Sequence, residues 1–258
     1  MFIDAFVQRA YHLPIMANQN IDTVLFDLDG TLLPLNQEQF IQDYFTHFIR
    51  KGQELGCSPV LLGTALQEGI TAMVQNDGKR TNKERFDQVF ETTSGIPSDE
   101  FNNHFASFYE QEFSLLRQHA SPSPLARRMV LEVREKGYTV VLATTPLYPW
   151  QGTKARLDWA NLEPNLFSLI TTYEDFCWAK PNLGYYRQIL QQIGKEAPSC
   201  LMIGNDVEED MVARQLGMDV YLVTDYIINM HGKSTETFRA GSLNDLATYC
   251  KELPPCNL

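Results

Sequence analysis

The chain has 258 residues, 44% hydrophobic and 21% charged, which is typical of a soluble globular protein with one large domain or one domain carrying a smaller one. Its formal charge of −11 leaves no basic face to neutralise nucleic-acid phosphates, so DNA and RNA are disfavoured as partners. Five widely spaced cysteines without a Cys-x-x-Cys pair argue against a disulfide framework or a structural zinc site, and favour a reducing, cytoplasmic setting.

Residues 1–19 are predicted to be an N-terminal extension. Polar and charged side chains interrupt their apolar positions, so we expect neither a secretory signal nor a membrane span there. No other stretch is long and apolar enough to predict a membrane span. Met16 stands shortly before the first predicted strand, so the native start is either Met1 or Met16.

The stretch VLFDLDGTLL at residues 24–33 joins a short apolar run to two aspartates. The apolar segment over 22–27 predicts a buried strand of the kind that parallel sheets cover on both faces. Asp27 and Asp29 are two residues apart, so their side chains lie on one face of an extended segment, where like charges repel unless something binds them. The pattern indicates a bound cation or a reaction.

The following segment predicts helices and no comparable strand. Apolar residues recur at helical spacing from Phe40 onward, and Thr81 and Glu84 have the spacing of a capping box. Ser98 is expected to cap a helix that includes Phe113. The four predicted helices begin near Phe40, Ser58, Thr81 and Ser98. We expect residues 37–121 to form an all-helical insert that is a second, smaller domain.

From Pro124 the pattern changes to alternating helices and strands. The predicted strands are YTVVLATT, LFSLITTY, CLMIGND and DVYLVTD. Strands separated by helices of ten to fifteen residues imply right-handed crossovers and a parallel, doubly wound sheet. The predicted fold is therefore α/β, with a Rossmann-like core formed by residues 20–36 and 122–258 around the helical insert.

Ligands of open parallel sheets bind beyond the carboxyl ends of the strands. The residues that the prediction places there carry carboxylates, hydroxyls, an amide and one ammonium group: Asp27, Asp29, Thr144, Thr145, Lys180, Asn205, Asp206 and Asp210. Clustered acids favour a hard cation such as Mg²⁺, which binds through one or two carboxylates, water and substrate phosphate. Lysine and threonine are suited to phosphate oxygens.

These motifs resemble those of the haloacid dehalogenase superfamily, and more closely its phosphatases with a helical cap inserted after the first motif. The resemblance covers nearly the whole predicted core. The matched motifs are, in order, Asp27-Leu28-Asp29-Gly30-Thr31, then Thr144, then Lys180-Pro181, and finally Asp206 with Asp210 behind Gly204.

The resemblance implies a role for each matched residue. Asp27 would attack phosphorus to give an aspartyl-phosphate, and Asp29 would protonate the leaving oxygen and then activate water. The residues implied to bind the substrate phosphate are Gly30, Thr31, Thr144, Thr145 and Lys180. Those implied to hold Mg²⁺ are Asp27, Asp29, Asp206 and Asp210. The resemblance also implies that residues 20–36 and 122–258 are the catalytic core and that 37–121 are the cap.

The fourth motif departs from the commonest family pattern, because Asn205 follows the glycine where many relatives have an acid. Two alignments are open. Asp206 can be the direct metal ligand, or Asn205 can take that position as a neutral amide and weaken metal binding. The spacing of Asp206 and Asp210 favours the first.

Basic residues gather at the start of the third predicted helix, in NDGKRTNKE. A basic loop beside a helix N-terminus can bind an anion, so Lys79 and Arg80 are candidate cap residues for substrate contact, with Lys83 nearby. The alternative is a solvated turn.

Together these features predict a magnesium-dependent phosphatase acting on a small phosphorylated metabolite. A phosphomutase shares all four motifs and remains an alternative, as does a binding or regulatory homologue without turnover. Dehalogenases of the superfamily need no second acid, so Asp29 argues against that chemistry.

Overall fold

A six-stranded parallel sheet lies at the centre of the fold. The computed structural model describes residues 21–256. The strands in chain order are β1 (Thr23–Phe26), β2 (Thr139–Leu142), β3 (Leu169–Ile170), β4 (Cys200–Gly204), β5 (Asp219–Val223) and β6 (Arg239–Gly241). The predicted extension over 1–19 and the choice between Met1 and Met16 lie outside the described residues.

The strand order in the sheet is β3-β2-β1-β4-β5-β6, so the direction of winding reverses at β1. Phe26, the last residue of β1, pairs in register with Leu142 of β2 and Ile203 of β4. The residues that follow these strands therefore emerge side by side at one edge of the sheet. The predicted α/β, doubly wound fold is confirmed.

The helices in chain order are α1 (Gln37–Gln53), α2 (Pro59–Val74), α3 (Asn82–Ser94), α4 (Ser98–Phe105), α5 (Pro124–Glu135), α6 (Trp150–Trp159), α7 (Leu183–Ile193) and α8 (Leu243–Glu252). The last four cover the two faces of the sheet. Val24 and Phe26 of β1 pack on the side of α5, α6 and α8, whereas Leu25 between them packs on the side of α7. This alternation explains why the strand is apolar throughout.

Residues 37–119 contribute only helices as regular elements: α1 to α4 and the 3₁₀ helix Phe113–His119. Ser58 caps α2, and Thr81 and Glu84 form the predicted capping box of α3. The predictions for Ser98 and Phe113 were wrong. Ser98 is the first residue of α4 and makes no cap, because its hydroxyl donates to Glu91, and Phe113 begins the separate 3₁₀ helix after α4 has ended.

The chain enters and leaves this helical segment at one place. Leu35 forms an isolated antiparallel bridge with Ala120. The N–H of Asn36 donates to the carbonyl of His119 at 3.0 Å, and the N–H of Ser121 donates to the carbonyl of Pro34 at 2.8 Å. The two connections therefore lie side by side where the segment meets the sheet.

The last quarter of the chain contains two elements that the sequence did not predict, β6 and α8. α8 begins with a capping box in which Ser242 and Asp245 satisfy each other's backbone N–H groups. Within residues 21–256, no helix combines the length and apolar character that a membrane crossing requires.

Candidate active site

A cavity of about 140 Å³ opens at the carboxyl edge of the sheet. Among the side chains that line it are Asp27, Asp29, Thr144, Thr145, Asn205, Asp206, Glu209 and Asp210. These residues follow β1, β2 and β4, the three adjacent strands at which the winding reverses. The structure thus gathers the acids and hydroxyls that the sequence placed at this edge.

Lys180 forms ion pairs with two of the acids, Asp27 and Asp210. Its side chain is only 1% exposed, and its ammonium lies 2.8 Å from Asp27 Oδ1 and 2.6 Å from Asp210 Oδ1. Burial by itself would lower the pKa of Lys180, but the carboxylates of Asp210 and Asp27 outweigh it and raise the pKa well above the usual value. Lys180 is therefore a fixed positive charge that orients the Asp27 carboxylate.

Asp29 lies in a different environment from Asp27. One carboxylate oxygen, Oδ2, accepts a hydrogen bond from the guanidinium of Arg156. The other, Oδ1, is buried and has no hydrogen-bond partner among the described residues. Burial raises the pKa of Asp29; the charge of Arg156 lowers it in part, and the charge of Asp27 adds to the rise. The neutral form of Asp29 is therefore favoured relative to that of a carboxyl in water.

Arg156 is a site residue that the sequence analysis missed. It lies on α6 with a side chain that is 1% exposed, and it donates to the carbonyl of Gly152 at 3.2 Å and to the hydroxyl of Thr153 at 3.3 Å. The ring of Tyr148 covers its guanidinium at 4.4 Å. Hydrogen-bond acceptors and an aromatic ring therefore surround the buried guanidinium. The sequence carried no signal for it, because the apolar residues of α6 are not gathered on one face of the helix.

The first and fourth motifs touch through Gly30 and Asn205. Gly30 has φ +85°, and a Cβ there would lie 2.3 Å from Asn205 Nδ2, so any side chain would separate the two loops. Thr31 donates its hydroxyl to Asn205 Oδ1 at 3.1 Å, and Asn205 Nδ2 donates to the carbonyl of Tyr226 at 2.7 Å. In this arrangement Asn205 holds two loops together.

Asp206 and Asp210 shape the loop after β4. Asp206 Oδ1 accepts the backbone N–H groups of Glu208 and Glu209 at 2.7 and 2.8 Å, and Asp210 Oδ2 accepts the N–H of Asp206 at 2.9 Å. Gly204 makes room for this packing, because a Cβ there would lie 2.1 Å from Asp210 Oδ2. Whether Asn205 or Asp206 is the direct metal ligand stays a prediction.

Two further groups complete the edge. Thr145 donates its hydroxyl to Glu209 Oε2 at 2.9 Å, and burial raises the pKa of Glu209 to about 7, an effect that the charge of Lys180 opposes. The sequence analysis did not select Glu209. Thr144 is buried, and its carbonyl accepts hydrogen bonds from Thr171 and Tyr185, which fix the end of β2.

Lys79 and Arg80 lie apart from this edge. Lys79 is 81% exposed at its side chain and pairs with Asp77 at 2.9 Å, and Arg80 reaches Gln88 at 3.5 Å. Neither lines the cavity. The substrate contact suggested for these two residues gains no support from their position.

The donor set is chemically suited to Mg²⁺. Carboxylates of Asp27, Asp29 and Asp206 and the amide of Asn205 share one cavity, and Asp29 Oδ1 is a buried oxygen without a partner among the described residues. Among residues 21–256, no three His, Cys, Asp or Glu side chains form a ready-made cage. Mg²⁺ does not require one, because it usually keeps several waters and binds through one or two carboxylates plus substrate phosphate.

Comparison with known proteins adds independent information. A family model described as haloacid dehalogenase-like hydrolase matches residues 21–217. The glyceraldehyde 3-phosphate phosphatase of Methanocaldococcus jannaschii is 23% identical over 239 residues, which cover 90% of this chain and 98% of that protein.

Two solved structures share the fold at low identity. CbbY from Rhodobacter sphaeroides, solved in complex with phosphate, has a TM-score of 0.57 and 18% identity, and the match covers 90% of this chain and 100% of that one. L-2-haloacid dehalogenase from Xanthobacter autotrophicus has a TM-score of 0.54 and 13% identity, with 90% and 99% covered. Since the two names differ, the fold alone does not select the reaction.

Proposed function

The chain belongs to the haloacid dehalogenase-like hydrolases, and on this premise we propose that it is a magnesium-dependent phosphatase that hydrolyses a small phosphorylated metabolite through an aspartyl-phosphate. The observation that carries the proposal is the unequal treatment of the two aspartates of the first motif. Asp27 is buried and paired with Lys180, whereas Asp29 is half-buried, has a raised pKa and keeps one oxygen without a partner among the described residues. Two carboxyls with such different environments suit a nucleophile and a proton donor.

In the first step a carboxylate oxygen of Asp27 attacks phosphorus as the bond from phosphorus to the ester oxygen breaks. Lys180 holds Oδ1 of Asp27 at 2.8 Å and offsets the charge that builds on the phosphoryl group. The carboxyl of Asp29 gives its proton to the departing oxygen, which leaves as an alcohol. The products of this step are the alcohol, the aspartyl-phosphate and the Asp29 carboxylate.

In the second step the Asp29 carboxylate takes a proton from water, whose oxygen attacks the aspartyl-phosphate. The bond between phosphorus and Asp27 breaks, inorganic phosphate leaves, and both aspartates return to their starting states. Arg156 keeps Asp29 in one orientation through both steps. When bound at Asp27, Asp29 and Asp206 or Asn205, Mg²⁺ supplies positive charge that favours phosphoryl transfer.

The backbone after β1 provides further phosphate contacts. The turn from Leu28 to Leu33 is closed by backbone hydrogen bonds, with the N–H of Leu33 donating to Leu28 at 2.8 Å and that of Gly30 to Leu33 at 2.8 Å. The N–H groups of Gly30, Thr31 and Leu33 are used within the turn, so an anion would bind to the other N–H groups of this segment. We propose that this turn, together with Thr144 and Lys180, forms the phosphate site.

We also propose that residues 37–121 act as a cap over the site. Ile41 of α1 lines the cavity that contains Asp27 and Asp29, so this segment already reaches the candidate site. A cap that closes over bound substrate would exclude water from the first step and favour transfer to Asp27. The structures that share the fold include one named as a dehalogenase, but Asp29 with its raised pKa favours an ester leaving group that needs a proton.

The test is phosphate release from a panel of phosphate monoesters with and without Mg²⁺. Asp27→Asn should reduce kcat by at least about 10⁴-fold, because the amide is a poor nucleophile. Asp22→Asn is the control: Asp22 precedes the same strand at the opposite edge and pairs with Lys195 at 2.7 Å.

The control should keep its activity within about twofold, as expected for an exposed pair. Full activity of Asp27→Asn, or phosphate release by the wild type that ignores Mg²⁺, would contradict the proposal. Transfer of phosphate to a second hydroxyl of the substrate, without net release, would assign the site to a mutase.

A further inference from the structure

A second and larger cavity lies between the helical segment and residues of the remaining chain that include Leu147, Tyr148, Tyr173 and Glu174. Its volume is about 750 Å³, against about 140 Å³ for the cavity with the aspartates. Aromatic side chains form much of its wall: Phe45, Phe48, Phe86, Phe105, Tyr109 and Tyr148. A volume of this size is in the range that holds a drug-sized ligand.

The two cavities adjoin. Ile41, Leu147 and Tyr148 line both of them. A molecule whose phosphate lies beside Asp27 would therefore have the larger cavity next to it, on the other side of these three side chains. Tyr148 marks the junction, since its ring also covers the Arg156 guanidinium that holds Asp29.

The charges around the larger cavity exclude a second phosphate group. Lys83 is the one cationic side chain in the described wall, and it is already paired with Asp87. Asp99 and Glu174 add two carboxyls to the same wall, and Glu174 Oε2 is buried without a hydrogen-bond partner among the described residues. An anion in this cavity would meet unpaired acceptors and no free cation.

The body of a sugar or polyol phosphate is also poorly suited to the wall of the larger cavity. Asn102, Asn103 and Gln151 could replace some of its hydrogen bonds with water, but the ring faces that form much of the wall would replace none. An apolar body would instead remove both its own surface and the ring faces from water. We propose, resting on the phosphatase function above, that the substrate is the phosphate monoester of a long or ring-bearing apolar alcohol, whose body occupies this cavity.

The substrate proposed for this chain differs from the one for which the relative in Methanocaldococcus jannaschii is named. That protein is named for glyceraldehyde 3-phosphate, which carries a short polar body. A body of that size would leave most of about 750 Å³ unfilled.

The test is a series of alkyl phosphates from ethyl to octyl, with glycerol phosphate as the polar reference. The leaving groups of this series are chemically alike, so kcat/KM reports the binding of the body. We expect kcat/KM to rise by up to about fourfold for each added methylene, which corresponds to about 0.8 kcal/mol, and by at least about tenfold from ethyl to octyl phosphate.

A variant that narrows the cavity sharpens the test. Ala106 is exposed at the end of α4 and lines the larger cavity, so Ala106→Trp adds bulk there without disturbing a packed core. We expect it to lower kcat/KM for octyl phosphate by about tenfold and to leave ethyl phosphate within about twofold. Gln111→Trp places the same ring on an exposed position of the same segment that is not part of the wall, and should change neither substrate.

A kcat/KM that is flat along the series, or higher for glycerol phosphate than for octyl phosphate, would overturn the substrate class while leaving the phosphatase function intact. Equal loss of both substrates in Ala106→Trp would overturn the assignment of the body to this cavity. Absence of phosphate release from every ester, with Asp27→Asn no different from wild type, would instead overturn the phosphatase function and this inference with it.

Discussion

The carboxyl edge of the sheet and the interior of the helical segment are stabilised by different interactions. At the edge, buried charges are held by specific partners: Lys180 by two carboxylates and Arg156 by Asp29. In the helical segment, aromatic rings pack at centroid distances such as 4.5 Å between Phe48 and Phe105, with few polar contacts among them. The edge therefore depends on each charged partner, whereas the helical interior depends on how closely its side chains fill the space between them.

The variant expected to have the largest effect on this comparison is one that removes the charge of Lys180. Lys180→Met leaves Asp27 and Asp210 buried and unpaired, so we expect a loss of about 3–5 kcal/mol in the free energy of unfolding. Phosphatase activity should also disappear. Urea denaturation and a phosphate-release assay measure the two effects.

The control for Lys180 is Lys195→Met. Lys195 pairs with Asp22 at 2.7 Å, but both side chains are about a third exposed, at 29% and 34%. We expect a cost of no more than about 1 kcal/mol there. Similar costs for the two variants would show that burial of the Lys180 pairs does not set their importance.

The next largest effect is expected at Arg156, which acts through Asp29 and is a positioning residue. Arg156→Gln should lower kcat by about 10²-fold with KM little changed, because a misplaced acid affects the chemical step more than binding. Arg156→Lys should recover part of the loss. Steady-state kinetics on any turned-over ester provide the measurement.

Arg127 is the comparison for Arg156, since it forms an exposed pair with Glu163 at 3.2 Å. Arg127→Gln should leave kcat within about twofold. A variant of Arg156 that changes KM alone would place this residue in substrate binding instead.

A smaller effect should distinguish the two possible metal ligands. Asp206→Asn keeps an acceptor for the N–H groups of Glu208 and Glu209 but loses the charge. If Asp206 is the ligand, the Mg²⁺ concentration for half-maximal activity should rise by about tenfold or more. Asn205→Ala is the converse variant, and a rise only in that one would assign the ligand to Asn205.

The smallest expected effects come from two glycines of α2 in the helical segment. A Cβ at Gly69 would lie 2.6 Å from the Phe86 ring, whereas a Cβ at Gly63 would lie 3.5 Å from Ile49, an ordinary contact. We expect Gly69→Ala to cost about 1–3 kcal/mol of stability and Gly63→Ala to gain up to about 1 kcal/mol. Urea denaturation checks both, and kcat on ethyl phosphate should hardly change.

If Gly69→Ala were neutral, the rings around Phe86 would be adaptable to a degree that close packing does not predict. If it abolished activity toward ethyl phosphate, the helical interior would be coupled to the sheet edge as tightly as Lys180 is. Either outcome would remove the contrast from which these predictions begin.

Local signals explain which parts of the fold were predictable. β1 and β4 are apolar runs that end in acids, α2 begins with Ser58 and Pro59, and α3 has its capping box, so each carries its own marker in sequence. β6 has no such marker, because it is a three-residue edge strand with partly or fully exposed side chains that exists through pairing with β5. The predicted end of α4 was wrong for the opposite reason. The apolar spacing in the sequence continues to Phe113, although the helix stops at Phe105.

The candidate site divides in the same way. Asp27, Lys180 and Asp210 belong to short motifs that the sequence displays, and the structure brings these three side chains into contact. Arg156 and Glu209 belong to no such motif. They reach the site only because α6 and the loop after β4 are folded against it, so their partners lie 127 and 64 residues away in the chain. No local periodicity in a sequence indicates contacts between residues that lie so far apart in the chain.

The paired connections at Leu35 and Ala120 have a consequence for how such a protein can change over generations. Because the helical segment enters and leaves at one place, its replacement or enlargement does not alter the order in which the strands are joined. Insertions whose ends lie close together are the ones that folded proteins accept most readily. Natural variation can therefore exchange the helical segment while the sheet and the side chains at its carboxyl edge stay in place.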